Sequence, residues 1–336
     1  MKKTILAVII YCGLLCTSWN SLRAQTASNE NTRLFRFYED NDFINLNGNG
    51  TDQAYTNGTR FDLFYTRSHP PRGFPDRWMP GAGKESINTY GWGFMQVMFT
   101  PEDLRRSKPV PGDFSYSGGL FITHTLHSSN PLRKLNLQTE IFAGVMGPWA
   151  LAKETQSFAH HLLGFTKPRG WGNQLGNKLL LNLNLTGEKQ LLGIKKWAEI
   201  MAGGQVYAGT MLNGLSAYSL IRIGRMSPYF NGFISQYTTS KQTRRPWQLY
   251  FTLRPNAEFM FTNALVKGVP MPDDLPAPTK AGQPTYSNRK ILVGVDYGLG
   301  ATYRNLGFSF SQRTLTPVIN GLKHHEVGNL SFYIGW

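Results

Sequence analysis

Four stretches of the chain hold side chains at spacings that could do chemistry. "YEDNDF" at 38–43 places Asn41 and Asp42 where an apolar-rich run ends, and "TDQAYTNG" at 51–58 opens the next run with Tyr55 and Thr56. Carboxylate, amide and hydroxyl oxygens converging at a loop suit a hard cation such as calcium. The same residue types also make ordinary turns, because they bond their own backbone and tolerate unusual dihedrals, and taken alone these two stretches favour turns. Farther along, "MGPWALAKETQSFAHHLLGFTKPRGWGNQLGN" carries Gln156 and His160 four residues apart. An imidazole beside oxygen ligands can act as a general base at neutral pH. His161 follows directly, but adjacent residues on a helix point about 100° apart, which does not suit two ligands to one zinc; His160 is the candidate. The fourth stretch, "HSSN", sets His127 and Ser129 at the His-x-Ser spacing of a serine hydrolase.

These groups need elements to position them. Between Pro148 and Gly164 the residues favour helix, with proline near the start and glycine at the end. Gln156 and His160 then share one face, and Phe158, Leu162 and Leu151 another. Elsewhere two-residue alternation recurs between polar or Gly/Pro/Asn-rich connections. It predicts strands at 33–39, 55–66, 87–99, 116–127, 132–146, 176–187, 194–208, 212–225, 247–265, 289–303, 305–316 and 327–336. In the last, Leu330, Phe332, Ile334 and Trp336 fall on one face and Ser331, Tyr333 and Gly335 on the other. An aromatic residue ending an alternating strand resembles the signal by which barrel assembly machinery recognises outer-membrane proteins.

The opening "MKKTILAVIIYCGLLCTSWNSLRAQ" has a charged start, an apolar stretch and a polar run to Ala24. It is expected to be a cleaved export signal over 1–24, leaving a single domain over 25–336. Both cysteines, Cys12 and Cys16, lie in that leader, so the mature chain is expected to carry no disulfide. Three of the 35 basic side chains also lie there, leaving a surplus of twelve over the 20 acidic ones. An exported basic protein is expected beside lipid head groups or polyanionic glycolipid rather than nucleic acid. After the leader there is no run of about eighteen apolar residues, so no membrane-spanning helix is expected.

An even number of alternating strands, aromatics throughout and an export signal predict an all-β fold: a twelve-stranded antiparallel transmembrane barrel with a short helix in its third outer loop. With both termini in the periplasm, the connections at 40–54, 100–115, 147–175, 209–211, 266–288 and 317–326 lie at the outer face. Those at 67–86, 128–131, 188–193, 226–246 and 304 lie inside; 67–86 and 226–246 are longer than periplasmic turns usually are.

Asn41-Asp42-Phe43 closing the first strand, "TDQAYTNG", "MFTPEDLR" after the third, then "GVMGPWALAKETQSFAH" and "GWGNQL" occur in one order. Together they resemble the lipid A 3′-O-deacylase family, LpxR. The resemblance implies a twelve-stranded outer-membrane barrel that removes the 3′ acyloxyacyl chain of lipid A by calcium-dependent ester hydrolysis at the outer face. It implies catalytic roles for His160, Asn41 and Thr56, substrate contact by Gln156, and Asp42 as the charged ligand of calcium. The family's lysine after "TP" has no identical partner; Arg105 or Arg106 stands near that position. A tyrosine expected several residues after the histidine is also missing, where "FTKPRGW" offers Phe165 and Pro168.

Two rivals follow from the same sequence. His127 and Ser129 would suit an outer-membrane phospholipase if they lay at the outer face, whereas the strand order puts them at the periplasmic end of the fourth strand. A barrel with an open lumen would be a porin or a surface-binding protein. The Pro-rich connection at 269–284 is expected to be irregular, a lid or a mobile outer loop.

Overall fold

The computed structural model describes residues 32–46, 54–67, 69, 73–109, 113–194, 197–239, 246–266, 289–319 and 325–336. The expected leader at 1–24 and the Pro-rich connection at 269–284 lie outside them. Twelve antiparallel strands form a closed barrel: β1 (Arg33–Asn41), β2 (Ala54–Thr66), β3 (Ile87–Thr100), β4 (Ser117–Asn130), β5 (Leu135–Met146), β6 (Lys178–Ile194), β7 (Ala198–Gly209), β8 (Leu212–Arg225), β9 (Trp247–Asn263), β10 (Ile291–Tyr303), β11 (Leu306–Leu315) and β12 (His325–Gly335). Each strand pairs with its sequence neighbours, and β1 closes on β12 with Leu34 opposite Gly335 and Asn41 opposite Gly328. Closure pairs every strand edge, the condition for a sheet to cross a bilayer. No helix among the described residues is long and apolar enough to span one.

Alternation sorts the side chains. Phe61, Leu63, Trp92, Phe94, Ile122 and Phe332 are exposed on the outer wall, while their neighbours point inward as charge ladders. Asp62 bridges Arg36 at 2.7 Å and Arg60 at 2.8 Å, and Arg60 reaches Glu140 at 2.6 Å. Apolar clusters flank this polar lumen toward both ends. Val97, Phe121, Phe142, Met146 and Leu180 pack with Leu265 toward the outer mouth; Phe233 and Ile234 pack on Leu34, Phe64 and Tyr333 at the other. Between them is a cavity of about 530 Å³.

The two long periplasmic links have distinct uses. The link after β8 turns back into the lumen, where a one-turn helix over Ile234–Tyr237 fills the periplasmic mouth. The link after β2 lies against the outside wall instead: Met79 packs on Tyr90 and Leu126, and Asn130 donates to the carbonyl oxygen of Lys84 at 2.8 Å.

One inner connection is corrected. The expected turn at 188–193 is strand, because β6 continues to Ile194. Glu188 does not mark a solvated turn; it points inward and accepts hydrogen bonds from Tyr218 and Tyr229, each at 2.7 Å. The turn after β4 also begins later than expected, since β4 runs to Asn130.

Candidate active site on the outer wall

The third outer loop forms the expected helix, α1 (Ala152–Leu163). Pro148–Ala150 makes a separate 3-10 turn, and Leu151 between them takes a left-handed conformation (φ 57°). At the other end Gly164 (φ 72°) turns the chain left-handed, and the Phe165 amide returns to the His160 carbonyl at 2.9 Å. Ala152, Gln156 and His160 form one buried stripe; Phe158 and Leu162 are exposed.

Gly118 decides where that stripe is placed. On β4 the even-numbered Ile122 is exposed on the outer wall, so Gly118 faces outward too. A methyl group there would lie 2.4 Å from Cβ of Ala152. The absent side chain therefore lets α1 seat on the outside of the barrel. Gln96 of β3 secures the approach by donating to the Ala150 carbonyl at 2.7 Å. Met98, Leu104, Tyr116, Ala152 and Trp171 form the apolar cluster beneath.

The β1–β2 corner presents its groups to the same wall. Phe35 and Phe37 stack on exposed Phe61, so the odd-numbered Asn41 also faces outward. Its amide oxygen accepts from the Phe43 amide at 2.8 Å, capping a 3-10 turn over Asp42–Ile44. Asp42 inside that turn is 1 % exposed.

Thr56 gets there by an irregularity. Counting by twos from the inward Arg60 and Asp62 would send Thr56 into the lumen, but the β2–β3 register shifts between Tyr55 and Asn57. This bulge makes Thr56 the extra residue. Tyr55 turns inward, where it donates to Asp40 at 3.2 Å; its hydroxyl would lie 1.9 Å from a methyl group on Gly58, so a side chain there would have to displace it. Thr56, 2 % exposed, shares a 2.6 Å hydrogen bond with the hydroxyl of Thr100.

Phe165 joins the two halves. Its ring lies 5.3 Å from that of Phe43, next to Asp42, and 5.7 Å from the imidazole of His160. His160 is 6 % exposed and its Nδ1 meets the carbonyl oxygen of Thr166 at 2.5 Å. A carbonyl only accepts, so Nδ1 carries the proton and Nε2 of the neutral ring is the basic atom. Gln156 accepts from the Trp171 indole at 2.7 Å.

Asn41, Asp42 and Thr56 on the β1–β2 corner and Gln156 and His160 on α1 thus lie on the same outer side, with the Phe43–Phe165 ring contact between them. Arg105 and Arg106 sit at its margin and are mostly exposed. Both engage Asp103, at 2.8 and 3.6 Å. The hydrogen bonds from Arg105 hold the Asp103 carboxyl down at about 2. Backbone bonds tie this loop to the segment after α1: the Arg169 amide donates to the Leu104 carbonyl at 2.8 Å and the Leu175 amide to that of Tyr116 at 2.9 Å. His127 and Ser129 are elsewhere. His127 is buried in the lumen with its ring stacked on Phe233 at 3.9 Å, and Ser129 donates to Asn136 at 3.0 Å. Sequence reasoning passed over Thr100, Phe165 and Trp171. Thr100 and Trp171 lie in quoted motifs and Phe165 where a tyrosine is missing, but none of the three was given a role.

A closed barrel with an apolar exterior has the architecture of an outer-membrane protein. The family model described as "Outer membrane protein LpxR" matches residues 8–336, and the chain belongs to that family of outer-membrane barrels, the lipid A deacylase family. Among solved structures, LpxR from Salmonella typhimurium superposes with a TM-score of 0.70 at 17% identity, covering 90% of this chain and 100% of that one. The β domain of the Bordetella autotransporter BrkA gives 0.44 at 9% identity, covering 91% and 99%. The autotransporter NalP translocator domain from Neisseria meningitidis gives 0.41 at 7%, covering 99% and 97%. A comparison with curated proteins gave no match.

Proposed function

We propose that the protein hydrolyses the ester linking the 3′ acyloxyacyl chain of lipid A, at the outer face of the outer membrane. The observation that carries this reading is that Asn41, Thr56 and α1 with His160 assemble on the outside of the wall. An ester in the outer leaflet reaches that wall sideways, without entering the lumen.

The chain's own groups supply a complete acid–base cycle. Nε2 of His160 takes a proton from water as the oxygen attacks the ester carbonyl carbon. The imidazolium, oriented through the Thr166 carbonyl, then returns the proton to the departing alkoxide as the carbon–oxygen bond breaks. The amide of Gln156 is available to the carbonyl oxygen as its charge develops.

The donor chemistry fits a hard cation: the Asp42 carboxylate, the Asn41 amide oxygen, which has a second lone pair, and the Thr56 hydroxyl are all oxygen donors. Among the described residues no three or more His, Cys, Asp or Glu side chains come together as a metal cluster. One carboxylate with neutral oxygens suits weak calcium binding, on the order of 10⁻⁴–10⁻³ M, rather than zinc. Asp42 would be its charged ligand, with Asn41 and Thr56 completing or orienting the site. Bound calcium would supply Lewis-acid stabilisation of the carbonyl oxygen. Arg105, Arg106 and the nearby Lys153, Lys167 and Arg169 would face lipid A phosphates.

The test is mass spectrometry of lipid A from cells with the wild-type protein, without it, and with His160→Ala. The expected result is loss of one acyloxyacyl group in the first alone. Unchanged lipid A in wild-type cells, together with conductance by the purified barrel, would place it among the porins.

A further inference from the structure

Gln156 is buried, 3 % exposed, and its two ends have different surroundings. The oxygen accepts from Nε1 of Trp171 at 2.7 Å, while among the described residues the NH2 nitrogen has no hydrogen-bond partner. An amide can be turned over by half a rotation, and only its neighbours decide which end goes where. Here the neighbour leaves no choice. An indole N–H is donor only; with the amide reversed, two donors would face each other in a dry setting, and the buried oxygen would lose its partner.

The indole is itself held firmly. Its ring lies 4.8 Å from that of Tyr116, whose hydroxyl donates to the Leu104 carbonyl at 3.3 Å, and both rings belong to the cluster with Met98, Leu104 and Ala152. A short 3-10 turn over Trp171–Asn173 fixes the backbone. Leaving a buried NH2 unanswered is unfavourable, and the same stripe of α1 carries His160 one turn on. A donor kept desolvated, on the opposite side of the amide from the indole, is suited to an oxygen that arrives with the substrate.

We infer that Trp171 is a positioning residue: it locks the Gln156 amide with the NH2 toward the His160 site, as a fixed donor to the ester carbonyl oxygen. This rests on the deacylase reading for the identity of that oxygen. The orientation itself does not depend on it.

Purified full-length protein in detergent micelles with calcium and lipid A provides the test. Trp171→Phe keeps an aromatic ring in the cluster and removes the donor together with part of the indole's volume. Removing an oxyanion donor outright lowers kcat by about 10²–10³-fold. Freeing the amide to turn is expected to lower kcat about tenfold, with KM within about twofold and the thermal midpoint unchanged. Adding Trp171→Phe to Gln156→Ala is expected to have no further effect. Gln156→Glu, which keeps the acceptor and loses the donor, is expected to be as slow as Gln156→Ala.

A second readout needs no activity. The indole ¹H–¹⁵N resonance of Trp171, identified by its loss in Trp171→Phe, is expected to shift and exchange faster in Gln156→Ala. Multiplying losses in the double variant, wild-type kcat in Trp171→Phe, a loss that follows a lowered midpoint, or an indole resonance unmoved by Gln156→Ala would each overturn the inference. If wild-type protein releases no acyl chain, the deacylase reading fails, and the resonance still decides whether Trp171 sets the amide.

Discussion

The lumen and the outer-wall site both bury polar groups, and they do so in opposite ways. In the lumen charge answers charge: Asp62 lies between Arg36 and Arg60, Arg60 reaches Glu140, Arg222 meets Glu199 at 3.1 Å, and Arg313 meets Glu258 at 3.0 Å. At the outer wall the groups are mostly neutral, and hydrogen bonds to backbone and to an indole orient them where the lumen uses ion pairs. His160 is fixed through Nδ1, Gln156 through its oxygen and Asn41 through one lone pair. Density of charge is therefore a poor guide to chemistry in this barrel. A ladder of ion pairs keeps the inside of a polar barrel in register; an oriented, mostly neutral cluster is what a reaction needs.

Substitutions on the two sides should accordingly fail differently. His160→Ala is expected to reduce acyl release by about 10²–10⁴-fold, the usual contribution of a general base, with the barrel's gel mobility and thermal midpoint intact. Ser129→Ala, in the lumen, is expected to stay within about twofold of wild type in the same chromatographic assay of released fatty acid. The reverse pattern would move the site into the barrel. Asp42→Asn, or chelation with EGTA, is expected to bring a similar loss, restored after chelation by added calcium. Recovery in the chelated wild type with zinc alone would contradict the hard-cation assignment.

Asp62→Asn should do the opposite. It leaves Arg36 and Arg60 facing each other with one acidic partner fewer. Breaking a buried pair at one end destabilises a fold by about 3–5 kcal/mol, which urea unfolding in detergent would register. Activity of the fraction that remains folded should be near normal. Unfolding midpoints equal to wild type would mean that lumen water, not pairing, carries these charges.

The contrast also explains which features were legible in the sequence. Strand count and position were, because lipid outside and polar groups inside impose a strict period of two: the expected strand at 212–225 is Leu212–Arg225. Helical residue types between a proline and a glycine likewise marked α1, and Gln156 and His160 do share its buried face. What broke the period was not legible. Thr56 reaches the outer wall only through a bulge, which depends on how β3 lies beside β2. Glu188 looked like a solvated turn because the tyrosines that answer it come 30 and 41 residues later. The indole on Gln156 was hidden for the same reason, since fifteen residues and a turn separate the two.

Between these extremes stands the seat of α1. Gly118→Val puts a branched side chain where even a methyl group would lie 2.4 Å from Ala152. The backbone of β4 is held by β3 and β5, so the helix must give. Lifting it separates His160 from the Asp42 corner while the lumen ladders stay in place. The expected outcome is about tenfold lower kcat, since small displacements of a reacting group lose one to two orders of magnitude, with little change in unfolding midpoint. Activity equal to wild type would show that α1 does not need the wall to hold its histidine.

The smallest effect is expected at the margin. Asp103 holds Arg105 and Arg106 on an exposed loop, and hydrogen bonds from Arg105 lower its carboxyl to about 2. A depressed carboxyl stabilises the loop above the ordinary carboxylate range and ceases to as pH falls through about 2, so from pH 5 to 8 the pairing is constant. Any pH dependence of activity there must come from elsewhere in the site. Asp103→Asn removes the competitor and leaves both guanidinium groups to anionic substrate. KM for lipid A should fall by about two- to threefold at low ionic strength, because exposed ion pairs are weak. The gain should vanish near 1 M salt, where the screening length shrinks to about 3 Å. An unchanged KM at both ionic strengths would mean that neither arginine meets the substrate, and that Lys153, Lys167 and Arg169 on the α1 side carry the phosphate contacts.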